Sequence, residues 1–497
     1  MSETAAEALK ERLRRIAALE RTSRLIGWDQ ETQMPPRGAA QRAEEAAAVA
    51  AALHALCADP RLGALAEAVE AEGATGPLAV DAAEARRLHR RAIRIPARLA
   101  ADFAHATSEA QLTWQAARAA RDFPGFAPTL ARVVALARET AAALADPGVE
   151  PYDALLDEYE PGATGAGVAA TFDALRPGLV ALRARIAEAV RPAARLAGAF
   201  PADAQLALSR RVAGALGYDW EAGRLDLAAH PSCSGRLGDV RITTRINGGD
   251  PLECLYATIH ETGHALYEQG LDPEGALTFW GGHASMAVHE SQSRLYENQI
   301  GRGRAFAEWL FPELRAAFGA LGVDGPEALY RAVNRVETGF IRTEADEVHY
   351  NLHVMMRFDL ERALIAGSLA VADLEEAWNA RFAADFGRTP PDAARGVLQD
   401  VHWPVGLFGY FPTYTLGNVY AAELDAALRA ERPGLDAEIA AGDFAPTLAF
   451  LRGRIHRRGR TAPPDTLIAE ATGRVPRPET LLAALEAKYA GLYELAA

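Results

Sequence analysis

Residues 254–270 read Cys-Leu-Tyr-Ala-Thr-Ile-His260-Glu261-Thr-Gly-His264-Ala-Leu-Tyr-Glu-Gln-Gly, an H-E-x-x-H motif inside an apolar run long enough to be a helix. On a helix His260 and His264 stand four apart and share one face. Two imidazole nitrogens so placed can each reach one zinc ion at about 2.0–2.1 Å, while Glu261, one position round, leans over the coordination site where a water would sit. Two histidines on one helix can also be ordinary interior residues. Here Leu255, Ile259, Ala265 and Leu266 would bury the helix, and two buried histidines and a glutamate without partners would be costly. The stretch therefore predicts a helix that carries the core of a metallohydrolase site.

A catalytic zinc site needs a third protein ligand and a free fourth position. The longer pattern H-E-x-x-H-x-x-G-x-x-H is absent, because Tyr267 stands at its glycine and Gly270 at its third histidine. The ligand is then expected to be a glutamate on a following helix. Glu268 and Glu274 are too close in sequence to fold back, and Glu297 lies further on. Glu290 is the choice, 290 − 264 = 26 residues beyond the second histidine and past the turn-forming Gly281-Gly282, which leaves room for a loop and an antiparallel return.

Length and composition set the frame around this helix. At 497 residues the chain exceeds a single typical core, and its richness in alanine, leucine and arginine favours helix over strand. The net charge is −14 with no long basic run, so a phosphate-backbone partner has no electrostatic footprint and nucleic acid is not expected. Cys57, Cys233 and Cys254 form an odd, widely spaced set that fits a reducing compartment. The first residues are acidic without an apolar signal core, and no run approaches a membrane span. A cytoplasmic protein with no membrane partner is expected.

Along the chain, Leu9, Leu13, Ile16, Ala17 and Leu25 recur near helical spacing from Glu3 to about Ile26, and Met34-Pro35-Pro36 breaks that helix before an alanine-rich one from Ala39 to Cys57. Loop signals at Asp146-Pro147-Gly148 and Glu160-Pro161-Gly162 flank a short helix and predict a hinge or lobe boundary. Between Leu225 and Ile246 the pattern changes. Val240-Arg241-Ile242-Thr243 alternates apolar and polar between glycines and predicts the one sheet, beside the histidine helix. Pro326 to Gly367 reads as long helices, on which Arg342 and Asp346 would share a face and could simply pair with each other. Val371 to Phe386 reads as another helix, and the tail from Ala421 looks helical and scaffold-like. Gln399 to Phe411 gathers His402, Trp403, Phe408, Tyr410 and Phe411, a mixture that a plain core rarely needs.

These blocks together carry a resemblance. His230-Pro231, Asp239-Val-Arg241-Ile-Thr243, His260-Glu261-x-x-His264, His289-Glu290-Ser291-Gln292-Ser293, Ile341-Arg342-x-x-Ala345-Asp346 and Gly396-x-x-Gln399-Asp400-x-His402-Trp403 occur in one order, preceded by Trp28-Asp29-x-x-Thr32-x-Met34-Pro35. The chain resembles, over nearly its whole length, the M32 family of metallocarboxypeptidases. Ser232 and Cys233 depart from the family, which usually has an aromatic residue after His-Pro. The resemblance implies a mainly helical fold of gluzincin type, a large body with a deep substrate groove and one small sheet beside the zinc helix. Residues 1–150 would cover the groove and 151–497 would form the catalytic region, or the two would be one continuous domain. It also implies one divalent metal per chain, zinc before cobalt or manganese, and a homodimer.

On this reading His260, His264 and Glu290 hold the metal and Glu261 is the general base. A free C-terminal carboxylate suits the bidentate fork of an arginine. The resemblance points to Arg342, Gln399 and Arg241 for that recognition, with His230 closing the groove and His402 also meeting the substrate. His402, Tyr410 and Tyr420 are candidate donors to the oxyanion. The rivals are an oligoendopeptidase with the same zinc chemistry, distinguished by indifference to the terminal carboxylate, and a non-catalytic zinc-stabilised binding protein, which Glu261 and the lack of a fourth ligand disfavour. An aminopeptidase is less favoured still, because no Gly-x-Met-Glu-Asn segment is present to bind a substrate amine.

Overall fold

The computed structural model describes residues 4–189 and 195–495. Helices account for most of them, and a single three-stranded sheet is found among the described residues. The chain forms two compact units, each drawn from three separated stretches. One comprises Met1–Ile93, Ala193–Val333 and Tyr420–Pro476, the other Arg94–Pro192, Asn334–Val419 and Arg477–Ala497. The units interleave along the chain and do not divide at residue 150. The expected lobe boundary at 146–165 falls inside the second unit: its proline and glycine clusters mark the turns around the short helix Pro151–Leu156.

In the first unit, helix Ala5–Thr32 opens with a reciprocal cap. The Thr4 hydroxyl accepts from the Glu7 amide while the Glu7 carboxylate accepts from the Thr4 amide. Its Leu9, Leu13 and Ile16 are fully buried against Leu62, Ala66, Val69, Ala82 and Ala85. The sheet has the order β1-β3-β2, with β1 (Gly223–Leu227) parallel to β3 (Asp239–Thr244) and β2 (Cys233–Arg236) antiparallel to it. The alternation in β3 is matched by burial only in its first half, where Val240 and Ile242 are completely buried and Arg241 is not, while Thr243 and Thr244 are buried as well. Strands β2 and β3 pack on helix Pro251–Gly270, and the Leu237 amide of the β2–β3 turn donates to the Glu268 carbonyl of that helix at 3.0 Å. The sheet thus lies beside the H-E-x-x-H helix, as its sequence position predicts.

The second unit is built on long helices: Ala97–Ala120, Phe123–Leu144, Gly165–Glu188, Glu347–Ala366, Leu374–Phe386 and Pro478–Tyr493. Phe172 and Phe358 meet edge to face at 5.1 Å in its interior. The expectation of long helices from Pro326 to Gly367 fails in the middle. After Pro326–Val333 the chain runs without helix to a single 3-10 turn at Arg342–Glu344, and a new helix starts at Glu347. Asp346 is the reason. Its backbone is extended and its carboxylate accepts from the Val348 and His349 amides, both at 3.0 Å, so it is the cap of the next helix and not a member of a continuous one. Arg342 and Asp346 therefore share no helical face. Asp346 pairs with His349 at 2.8 Å and Arg342 with Asp400 at 3.0 Å.

Candidate metal centre

Helix Pro251–Gly270 begins with Asp250, whose carboxylate accepts from the Leu252 amide, and with Pro251 in the first turn, where a missing N–H costs nothing. Leu255, Ile259, Ala265 and Leu266 are buried as expected, and they turn His260 and His264 to one side. The return segment is helix Met286–Arg294, capped by the Ser285 hydroxyl and continued by a π-helical stretch, Leu295–Ile300. The two helices touch at Gly263. A Cβ there would stand 2.5 Å from Ser293 Cα and 2.6 Å from the Gln292 carbonyl oxygen, so only glycine admits this approach.

That approach brings Glu290 to the histidines. Its Oε2 lies 3.7 Å from His260 Nε2 and 3.4 Å from His264 Nε2. Two donors each about 2.0–2.2 Å from one tetrahedral ion stand ~3.3–3.5 Å apart, so Glu290 lies close to the separation that a shared ion requires from each imidazole, and the donor set of two imidazoles and a carboxylate, all within 4.8 Å of one another, is one that zinc takes. The imidazoles keep 18% and 12% of their surface open, and Glu290 keeps 7%. No fourth protein donor joins this group among the described residues.

The surroundings orient each donor. Glu297 Oε2 sits 2.9 Å from His260 Nδ1, which leaves Nε2 of that ring to face Glu290. Arg294 donates through Nε to Glu290 Oε1 at 2.7 Å and through Nη1 to Glu297 Oε2 at 3.2 Å, so Glu290 presents its other oxygen to the imidazoles. Burial resists charge on Glu297, yet Arg294 and the His260 hydrogen bond hold it well below the usual carboxylate range. Glu261 is 6% exposed, and burial pushes its carboxyl up to about 7 against the opposing pull of His264. A second group, Glu268, His283 and His289, gathers beside the first. Sequence reasoning weighed Glu297 only as a ligand and passed over Arg294, His283 and the side chain of His289. Spacing carried part of the signal, because Glu297 stands seven residues after Glu290 and Glu268 four after His264, each pair at helical repeat.

In the same unit, the Asp-x-Arg-x-Thr block packs on the N-terminal Trp-Asp block. Arg241 stacks over Trp28 at 4.1 Å with Arg224, its neighbour on β1, over the same ring at 4.9 Å, and Arg241 Nε also donates to Asp239 at 2.8 Å. His230 is exposed, and its carbonyl accepts from the Thr243 hydroxyl at 3.2 Å. Ser232 meets Thr243 hydroxyl to hydroxyl at 3.0 Å, and Cys233 opposes Ile242 in the sheet. Tyr420 is buried and donates its hydroxyl to Asp465.

In the second unit Arg342, Gln399, His402 and Tyr410 come together. Arg342 is buried, with its guanidinium paired to Asp400, bonded to the Tyr350 hydroxyl at 3.2 Å, and lying 5.0 Å over Tyr414 and 5.6 Å over Phe411. Although burial opposes it, the Asp400 carboxylate fixes the positive charge on Arg342. Asp400 is shared with Arg357, 2.6 Å away. Gln399, expected to meet the substrate, uses its amide inside the chain. Its oxygen accepts from the Arg342 backbone N–H at 2.9 Å and its nitrogen donates to the Phe340 carbonyl at 2.9 Å, so it holds the turn that carries Arg342. His402 stacks on Phe411 at 4.3 Å and its Nε2 lies 3.2 Å from the Tyr414 hydroxyl, with the Tyr410 ring 5.9 Å away.

A mainly helical chain that converges two imidazoles and a carboxylate beside a buried glutamate has the build of a metal-dependent hydrolase. The family model for carboxypeptidase Taq (M32) metallopeptidases matches residues 8–489. Thermostable carboxypeptidase 1 of Thermus thermophilus is 44% identical over 99% of both chains. Among solved structures, the M32 carboxypeptidase from Deinococcus radiodurans superposes with a TM-score of 0.93 at 38% identity over 99% of both chains. Trypanosoma cruzi metallocarboxypeptidase 1 superposes with 0.95 at 34% identity over 98% of this chain and 100% of that one. The chain belongs to the carboxypeptidase Taq (M32) metallopeptidase family and is a peptide hydrolase. No described helix is long and apolar enough to cross a membrane.

Proposed function

We propose that this chain is a zinc-dependent metallocarboxypeptidase that removes residues from the free C-terminus of peptides, with His260, His264 and Glu290 holding the ion. The observation that carries the reading is the placement of Glu290 Oε2 at 3.7 and 3.4 Å from the two imidazole Nε2 atoms, close to the edge lengths of a tetrahedral site, with no fourth protein donor among the described residues. When bound, zinc supplies Lewis acidity to a water and to the scissile carbonyl, and cobalt or manganese could use the same donors. Glu261 takes the proton of the attacking water on its carboxylate and returns it to the leaving amine. Its burial suits the task, since desolvation raises the proton affinity of the carboxylate above that of an exposed glutamate.

Arg342 recognises the terminal carboxylate in this proposal, and Gln399 supports it by fixing the turn beneath it. His402 and Tyr410 donate to the oxyanion, whereas Tyr420 could do so only by giving up Asp465. Arg241 and His230 make further substrate contacts. We extend the reading to a cytoplasmic homodimer. Three free cysteines suit a reducing compartment, pairing follows from the family resemblance, and sedimentation of the purified protein checks the pairing.

Timed mass spectrometry of one peptide and its C-terminally amidated form, with and without chelator, tests the activity. Stepwise loss from the free end only, stopped by chelator, is expected. Internal cleavage of both forms would make the chain an endopeptidase. Glu261→Gln should retain zinc while hydrolysis falls by roughly 10²–10⁴-fold, and a zinc-loaded, active variant would remove Glu261 from the mechanism.

A further inference from the structure

The face of His264 turned away from Glu290 meets another imidazole. His264 Nδ1 lies 2.6 Å from His289 Nδ1, with ring centroids 4.5 Å apart and planes 29° from parallel, so the rings meet nitrogen to nitrogen along their edges. On its far side, His289 Nε2 lies 3.1 Å from Glu268 Oε1, and that same oxygen lies 2.9 Å from His283 Nδ1. Arg236 stands 3.4 Å from Glu268 Oε2. Glu268 is 2% exposed and His289 8%, and the ring of Tyr267 packs 5.5 Å from that of His289.

We propose that His289 and Glu268 are positioning residues for the metal ligand His264, acting through a hydrogen-bond relay from His264 to His289 to Glu268. The proposal rests on the assignment of His264 as a ligand. A ring that offers Nε2 to an ion carries its proton on Nδ1. That N–H points at His289 Nδ1, which must accept, so His289 carries its own proton on Nε2 and donates it to Glu268. Glu268, as a carboxylate, accepts from His289 and from His283 together. The reverse arrangement sets two N–H groups against each other at 2.6 Å and leaves a ring lone pair facing the Glu268 oxygen, so one proton pattern satisfies the cluster.

The same logic decides what the second group does. A metal on His289 Nε2 would force the His289 proton onto Nδ1, against the proton that His264 needs when it binds its own ion. Glu268, His283 and His289 therefore serve the first centre and do not form a second one. The two histidine ligands are supported differently: Glu297 holds His260 directly, whereas Glu268 holds His264 through an intervening ring.

Titration of the purified apo-protein with Zn2+ against a chromogenic chelator tests this. Wild type should show one tight equivalent, abolished in His264→Ala. If wild type binds none, or if His264→Ala binds as wild type does, the metal assignment itself fails. With that assignment intact, His289→Phe, which keeps a ring in place and removes both nitrogens, should raise the Kd for Zn2+ by roughly 10- to 100-fold. It should also shift the visible absorption of the Co2+-loaded protein. Glu268→Gln, which keeps an acceptor but loses the charge, should weaken binding in the same direction by less, and it serves alone if His289→Phe does not fold. Unchanged Kd in the folded variants would overturn the relay. So would a second tight equivalent in wild type that disappears in His283→Asn.

Discussion

Replacing Glu361 by glutamine should change how the stability of the protein depends on pH. Glu361 is fully buried and accepts three hydrogen bonds, from the Tyr152 hydroxyl at 2.8 Å, Trp403 Nε1 at 2.8 Å and the Gly409 amide at 2.6 Å. Through Trp403 and Gly409 it ties down the segment that follows His402. Burial pushes its carboxyl from 4.5 up to about 7, and the three donors only partly offset that. Below pH 4.5 the group is protonated in folded and unfolded chains alike and contributes no pH dependence. Between 4.5 and about 7 the folded chain keeps the proton and the unfolded chain loses it, so stability falls as pH rises through this window and levels off above it. The gap of 7 − 4.5, at 1.36 kcal/mol for each pKa unit, amounts to about 3 kcal/mol. Glutamine cannot titrate, and its amide N–H would oppose one of the three donors at a cost of about 1–3 kcal/mol at every pH. Wild type should therefore exceed Glu361→Gln most at pH 5, and the margin should shrink by about 2–3 kcal/mol by pH 8. Urea unfolding of both proteins, followed by tryptophan fluorescence at pH 5, 6, 7 and 8, measures the margin. A constant margin would refute the reasoning, because it would mean that Glu361 titrates normally.

Two other perturbations bear on the site. Arg342→Ala should raise KM for peptides with a free C-terminus by roughly 10- to 100-fold, the loss of one charged hydrogen-bonding group, and far less for amidated ones; an equal loss for both would make Arg342 purely structural. Gly263→Ala drives a methyl into the Ser293 backbone, so it should cost about 1–3 kcal/mol of stability and weaken zinc binding by separating Glu290 from the histidines. A variant with wild-type melting and wild-type zinc affinity would show that the two helices can part freely.

The convergence of His260, His264 and Glu290 was legible because its geometry is local. Two histidines four apart need only a helix to share a face, and a carboxylate after a glycine turn needs only a return helix, so His260, His264 and Glu290 follow from spacing. Strand β3 was legible for a similar reason, since Val240 and Ile242 are buried while Arg241 between them is not fully so. The outer support of the centre was not. His289 stands next to Glu290 in sequence but reaches His264, and only the helix approach at Gly263 makes that possible. The break before Asp346 was hidden by good helix formers on either side, and it is enforced by Asp346 acting as a cap and by the side chain of Gln399, 57 positions beyond Arg342. The interleaving of the two units leaves no compositional mark, because each crossing looks like any other turn.

The second unit also sets a timetable for synthesis. Helix Gly165–Glu188 packs against Pro478–Tyr493, with Leu482 lying where a side chain at Gly178 would otherwise extend. The 478 − 188 = 290 residues from the end of the first to the start of the second take roughly 15–60 s to leave a ribosome. Throughout that wait the earlier helix lacks its final neighbour, so a nascent chain stalled anywhere short of residue 478 presents an unfinished apolar flank to the cell's holdases and proteases.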